Sequence, residues 1–211
     1  MNNLERKILL SLAESGSLLS GQKLADKFSV SRNAIWKAVR SLQEQGYPIS
    51  GEKRGYRLED NDLVFAEAFH LNATVRVLDC VDSTNDEAKR SFTGNPLLIV
   101  ASAQTNGKGK GETPFPSPDH GLYFTYLTKK RFPLSSFTAY KEEILDFIAK
   151  TLSVTRSEQS LLIGEEKVGG VIVETTVELD ECTTLLVGVG FYPALTDKVN
   201  KISEICQYLE R

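Results

Sequence analysis

The chain has 211 residues, a formal net charge of −3, 41% apolar and 25% charged residues, ordinary values for a globular protein with room for one or two domains. It contains no run of about 18 apolar residues, and its first residues carry no apolar signal stretch, so neither a membrane span nor a secretory leader is expected. Three cysteines, Cys80, Cys182 and Cys206, are odd in number, widely spaced and outside any CxxC; they argue against a disulfide framework or a zinc site and for a reducing cytoplasm.

The net charge hides an asymmetry. Residues 1–60 carry ten Lys/Arg against seven Asp/Glu, a net of +3, and the rest carries fifteen against twenty-one, a net of −6. An acidic pI near 5.6 therefore leaves nucleic-acid binding open, and confines it to the first sixty residues.

In chain order, Leu4 to Ala13 carries a helical apolar stripe at Ile8, Leu9, Leu10 and Leu12, ended by Ser15-Gly16-Ser17. Ser20 caps a short helix to Phe28, and Ser31 caps a longer one from Arg32 to Gln45, stopped by Gly46. On that helix Ile35, Val39 and Leu42 fall at i, i+4 and i+7 and face the core. Tyr47–Ser50 and Gly55–Leu58 flank a charged tip, Gly51–Arg54, and predict a hairpin. A polar linker, Glu59–Asp62, follows. Beyond it come a strand at Thr74–Val81, a helix opened by Asp82-Ser83-Thr84-Asn85 and running to about Ser91, and a strand at Leu97–Gln104. A Gly/Pro/Lys-rich loop spans Asn106–His120. Then come a strand at Leu122–Thr128, a helix at Phe137–Leu152, and strands near Leu161–Gly164, Val168–Glu178 and Thr183–Tyr192. A helix from about Asp197 to Glu210 ends the chain. Adjacent late strands imply hairpins and a mixed sheet.

Helix, turn, helix and basic hairpin are the elements of a winged helix-turn-helix. The third helix buries one side and offers Ser31, Arg32, Asn33 and Lys37 on the other. Arg pairs with guanine and Asn with adenine, Ser and Lys suit phosphates, and the helix N-terminus favours a phosphate. Lys53 and Arg54 at the wing tip add backbone contacts. A helical protein-interaction module with a solvated basic surface is the alternative. Trp36 has two readings, a DNA or ligand contact and packing against the wing or the next domain; the second is expected, because an indole adds buried area.

Three features mark the second part. Ser83-Thr84-Asn85 at a helix start presents hydroxyls, an amide and free N–H groups that suit a small polar ligand head; a plain helix cap explains it as well. Gln104-Thr105-Asn106-Gly107-Lys108-Gly109-Lys110-Gly111 combines close backbone approach with cations, which suits a phosphate, although it is not a Walker loop and also reads as a mobile surface loop. Lys167-Val168-Gly169-Gly170 can bring a Lys into a site, or be an ordinary hairpin.

The ordered set, behind a winged helix, resembles the biotin protein ligases that double as biotin operon repressors. Ser83-Thr84-Asn85 is similar to that family's biotin-site Ser-Thr-Asn. Gln104 to Lys110 is similar to its Gln-x-x-Gly-Arg-Gly-Arg adenylate loop, with Lys108 and Lys110 at the arginine positions. Ser117-Pro118, Leu122-Tyr123, Lys167 with Gly170, and Gly188-Val189-Gly190 fall on its later motifs. The resemblance implies an α+β chain. Residues 1–62 form a winged helix-turn-helix DNA-binding domain, and residues 65–211 a class II synthetase-like, mixed-sheet α/β biotin/lipoate ligase-like domain. The C-terminal SH3-like domain is expected to be absent.

The resemblance also implies a chemistry. Biotin and ATP with Mg2+ give biotinyl-5′-AMP, which biotinylates a lysine of a biotin carrier protein. Ser83, Thr84 and Asn85 would frame biotin, and Gln104, Gly107, Lys108, Gly109, Lys110 and Gly170 would contact the adenylate. Lys167 would be catalytic, stabilising charge at the activated carboxylate. A homodimer would bind double-stranded operator DNA.

Two departures bear on catalysis. The family's Lys-Trp-Pro-Asn-Asp segment falls on Arg156-Ser157-Glu158-Gln159-Ser160, and both loop arginines are lysines, which lose bidentate phosphate geometry. The expectation is a cytoplasmic, biotin-responsive repressor with a weakened ligase site. An active ligase is the main alternative. A lipoate ligase, or a DNA-binding protein whose second domain only dimerises, are further readings.

Overall fold

A computed structural model of the chain describes residues 2–59, 64–118, 121–193 and 197–211. Asp60, Asn61 and Asp62 of the expected linker, and His120 at the end of the expected loop, lie outside them. The chain divides into two compact units, Met1–Leu63 and Val64–Arg211.

The first unit is three capped helices and a hairpin. In α1 (Asn3–Ser15) the Asn2 side chain accepts from Glu5 N and the Glu5 carboxylate accepts from Asn2 N, a reciprocal cap. Ser20 caps α2 (Gly21–Phe28) through Lys23 N, and Ser31 caps α3 (Arg32–Glu44) through Ala34 N. The apolar stripes close on one another: Ile8, Leu9 and Leu12 of α1, Leu24 of α2, and Ile35, Val39 and Leu42 of α3 are all buried. Strands β1 (Ile49–Glu52) and β2 (Gly55–Leu58) pair antiparallel. The expected four-residue tip is shorter, because pairing continues through Gly51↔Tyr56 and Glu52↔Gly55 and leaves Lys53-Arg54 as the turn.

The second unit is built on a mixed sheet, eight-stranded among the described residues, in the order β3-β4-β5-β10-β8-β7-β6, with β9 (Val177–Glu178) on β10. Parallel pairing joins β3 (Thr74–Val81) to β4 (Leu97–Gln104). The strands β5 (Leu122–Pro133), β6 (Thr155–Ser157), β7 (Ser160–Ile163), β8 (Glu166–Glu174) and β10 (Glu181–Phe191) pair antiparallel. Side chains alternate across the sheet as the pleat requires. Leu98 and Val100 of β4, Phe124 and Tyr126 of β5, and Leu185, Val187 and Val189 of β10 pack with α5 (Phe137–Thr151) and α6 (Lys198–Glu210), through Ile144, Ile148, Ile202 and Leu209. The intervening Leu97, Ile99, Leu127 and Leu186 pack with Ala88 of α4 (Thr84–Ser91).

Three stretches differ from expectation. β5 continues past Thr128 because β10 pairs with it as far as Glu181↔Pro133. The strand expected over Val168–Glu178 breaks after Glu174, where Thr175 Oγ1 donates to Thr184 O and Thr176 N donates to Thr184 Oγ1. β6 has no apolar alternation to announce it; its pairing with β7, Ser157↔Ser160, makes it a strand.

The buried Tyr126 hydroxyl donates to Glu210 Oε1 at 2.5 Å, tying α6 to the sheet. Glu210→Ala leaves that hydroxyl without its partner and is expected to cost about 1–3 kcal/mol. Tyr126→Phe, which removes the buried group itself, is expected to cost less. Native-state hydrogen exchange of β5 amides measures both; equal losses would assign no role to the hydroxyl.

Candidate functional site

In the first unit the buried side of α3 fixes what its other side can offer. Ser31, Arg32, Asn33 and Lys37 are all exposed, as are Lys53 and Arg54 at the hairpin turn. Arg32, Asn33, Lys53 and Arg54 line one open cleft of about 480 Å³ between α3 and the hairpin. The Ser31 hydroxyl already accepts from Ala34 N, and neither Ser31 nor Lys37 is among the residues that line that cleft. Trp36 corrects an expectation: it is 47% exposed and lines the cleft, with the Arg40 guanidinium 5.4 Å from its ring. Its place on the outer face of α3, one turn beyond Arg32, is why it is not buried.

In the second unit the sequence-predicted residues converge at the α4 side of the sheet. A cleft of about 190 Å³ is lined by Thr84 and Asn85 from the start of α4, Gln104 at the end of β4, and Lys108, Gly109 and Lys110 from the following loop. Lys167 and Gly170 of β8 and Gly188 and Gly190 of β10 complete it. The cleft exists because β10 carries glycine where the layer under α4 would otherwise hold side chains. A Cβ on Gly188 would lie 2.2 Å from Asn85 Oδ1, and one on Gly190 would lie 2.2 Å from the Phe115 ring. The Phe115 ring rests on this glycine floor and packs at 5.3 Å against Tyr192.

Two predicted residues do not line the cleft. Ser83 is buried and its hydroxyl accepts from Asp86 N as the α4 cap. Gly107 lies behind the loop, where a Cβ would meet Phe115 O and Ser117 Oγ at 2.7 Å.

A hydrogen-bond network fixes the corner. Gln104 Oε1 accepts from Thr84 N at 2.8 Å and Thr84 Oγ1 at 3.2 Å, while Gln104 Nε2 donates to Ser117 Oγ. Buried Thr125 stands 2.9 Å from Thr84 Oγ1 and donates to Asn85 Oδ1 at 2.6 Å. Sequence reading passed over Thr125; its signal was a hydroxyl in the otherwise apolar run Leu122–Leu127. It also passed over Glu158, which lines the cleft from the β6–β7 turn. Arg156 is committed elsewhere, to Asp146 at 2.6 Å and Glu142 at 2.8 Å. Lys108 pairs with Asp86 of α4 at 3.0 Å.

Asp82 anchors the entry to α4. It accepts from Ser83 N and takes a bidentate grip from Arg90. The Arg90 hydrogen bonds hold its carboxyl well below the usual carboxylate range. The folded-state value lies below the unfolded one, so the pair stabilises above about pH 4 and that contribution is lost as pH falls below it. Arg90→Ala is expected to raise the Asp82 pKa and move acid unfolding of this unit to higher pH. Carbon-detected NMR titration of the carboxyl checks this, and an unmoved Asp82 would contradict it.

Residues 5–57 match an HTH domain, and residues 77–191 match the biotin/lipoate A/B protein ligase family. The bifunctional ligase/repressor BirA of Bacillus subtilis is 26% identical over 90% of this chain and 65% of its own. That of Salmonella typhimurium is 26% identical over 89% of this chain and 63% of its own. The chain thus spans about 65% of the length of these curated relatives. Among solved structures, the Helicobacter pylori biotin acetyl coenzyme A carboxylase synthetase with bound biotinylated ATP has 21% identity and a TM-score of 0.49, over 64% of this chain and 74% of that one. The Aquifex aeolicus biotin protein ligase with biotin and ATP has 21% identity and a TM-score of 0.41, over 64% and 61%. With its cleft inside a match that covers more than half of its residues, the chain belongs to the biotin/lipoate A/B protein ligase family and carries an HTH domain ahead of the ligase-family region.

Proposed function

We propose that the chain is a biotin-responsive transcriptional repressor. Its winged helix binds double-stranded operator DNA, and its ligase-family unit binds biotin or biotinyl-5′-AMP with weakened catalysis. One observation carries the reading: Thr84, Asn85, Gln104, Lys108, Lys110, Lys167 and Gly170, drawn from separate segments, line one cleft. The relatives named as bifunctional ligase/repressors support both halves.

Thr84 and Asn85 would take the polar head of biotin at the rigid corner, with Ser83 acting through the α4 cap. Lys108 and Lys110 would take the phosphate, and Gly107 and Gly109 let the loop fold over it. Lys167 would offset charge developing at the activated carboxylate. ATP and Mg2+ enter this account only with catalysis. Phosphate binding competes with Asp86 for Lys108, and two lysines hold a phosphate without the paired geometry of arginine. A homodimer is proposed for operator binding, matching two half-sites by symmetry. No helix among the described residues is long and apolar enough to cross a membrane, and a cytoplasmic location is proposed.

An active ligase that biotinylates a carrier-protein lysine is the second reading. The observation favouring it is Glu158, which brings a carboxylate to the cleft although the Asp of the family segment is replaced by Ser160.

Calorimetric titration with biotin and with synthetic biotinyl-5′-AMP tests the ligand. Lys108→Ala is expected to weaken the adenylate roughly tenfold or more, the scale of one charge-assisted hydrogen bond, and to leave biotin nearly unaffected. Absence of binding by both ligands would overturn the sensor reading. Labelled biotin with ATP, Mg2+ and a carrier domain separates the two readings, since label on the carrier lysine supports the active ligase.

For DNA, Arg32→Ala is expected to reduce sequence discrimination. Lys53→Ala is expected to weaken all duplexes and lower the salt slope by about 1. Equal effects of both on specific and random duplexes would contradict the α3 assignment.

A further inference from the structure

The outer face of α3 carries one side chain that phosphate chemistry does not explain. At 3.6 residues per turn, Arg32, Trp36, Arg40, Asn33 and Lys37 fall within an arc of roughly 140°, with Trp36 between the two arginines. The buried Ile35, Ala38, Val39 and Leu42 occupy the remaining side. Trp36 is the chain's sole tryptophan, and 47% of it is exposed. Lys53, Arg54 and Tyr56 of the hairpin face it across the open cleft. Two acidic side chains temper this cationic surface, Glu52 in the cleft lining and Glu44, which takes Arg40 Nε at 3.3 Å.

Such a face suits a polyanion, yet it places a large apolar ring at its centre. The major groove of B-form DNA offers phosphates, polar base edges and one apolar group, the 5-methyl of thymine. A Trp between cations therefore meets its chemical complement there. Scattered exposed apolar residues are ordinary on protein surfaces; the position of this one, one helical turn from Arg32 and facing the wing, sets it apart.

We propose that Trp36 is the residue through which α3 distinguishes thymine, its indole packing on the 5-methyl group in the major groove while Arg32 and Arg40 flank it. The inference rests on the DNA-binding reading above and adds the base it selects.

The test uses duplexes selected from a random library by the full chain. Each thymine is then replaced singly by uracil, which removes only the methyl. Affinity is measured for the wild type, Trp36→Phe and Trp36→Ala, with circular dichroism confirming their folds. One replacement, or its symmetry mate, is expected to cost the wild type roughly fourfold, the worth of one buried methyl. It is expected to cost Trp36→Ala nothing further, with Trp36→Phe between. The emission of the single tryptophan is expected to change as labelled duplex saturates.

Uracil without effect on the wild type overturns the proposal, as does an equal effect in Trp36→Ala or emission unchanged at saturation. These outcomes leave DNA binding standing, and the uracil series and emission need no variant. A wild-type chain that selects no duplex removes the DNA-binding reading, and this proposal with it.

Discussion

The apolar layer between α4 and the sheet gives out at two glycines, and the cleft begins there. Leu186 of β10 packs beneath α4, but two and four residues on, the same face carries Gly188 and Gly190. Strand pairing places Gly170 of β8 directly beside Gly190, so the floor is smooth across two strands. Asn85 settles onto one part of this floor and Phe115 onto the other. A methyl at position 188 would displace the Asn85 carboxamide, and with it the acceptor that satisfies buried Thr125. The depth of the cleft and the order of its polar corner thus come from one constraint on β10.

Around that floor the two walls differ in rigidity. The α4 corner is braced by hydrogen bonds: Asp82 is gripped by Arg90, Gln104 is spent on Thr84 and Ser117, and Thr125 is spent on Asn85. Such a corner discriminates by shape and hydrogen bonding because little of it can yield. The loop wall closes on itself through Gly109 N to Thr113 O and Phe115 N to Gly107 O, and its cationic side chain Lys108 reaches the corner through the ion pair with Asp86, whose side chains are partly exposed. Pairs of this kind are weakly stabilising, so a phosphate arriving at Lys108 needs little differential affinity to rearrange them. A ligand that spans both walls can therefore couple recognition at the corner to the conformation of the loop.

Much of the fold was legible because period and punctuation agree. Ser20, Ser31 and Ser83 mark helix starts, and the unbroken apolar run Leu97–Ala101 marks a strand buried on both faces. What escaped was structure specified by partners. The extension of β5 to Pro133 depends on β10, and the break at Thr175 depends on Thr184 some nine residues away. At the site, the linear motifs located the residues that meet in the cleft, but could not separate those that line it from those that support it. Ser83 and Gly107 belong to the support. Thr125, which resembles no motif, became visible only when β5 was laid beside α4. For Trp36 the two readings part for a related reason: hydrophobicity argues for burial, but helical phase decides it, and the phase points outward.

The segment Arg156–Ser160 bears on how binding and catalysis would part on the proposed reading. Arg156 is not among the residues that line the cleft; it clamps Asp146 and Glu142 of α5 and donates to Glu158 O. That ties the β6–β7 turn to the helix layer and holds Glu158 in a left-handed conformation, φ 50°. From this turn Glu158, Gln159 and Ser160 line the cleft. The turn therefore forms a wall of polar side chains. A wall of this kind can enclose a bound acyl adenylate, since enclosure needs only shape and solvation. Accelerating the attack on that adenylate demands groups held to within a fraction of an ångström of the reacting atoms. On the proposed reading, substitution in this one turn would therefore bear more on turnover than on ligand recognition.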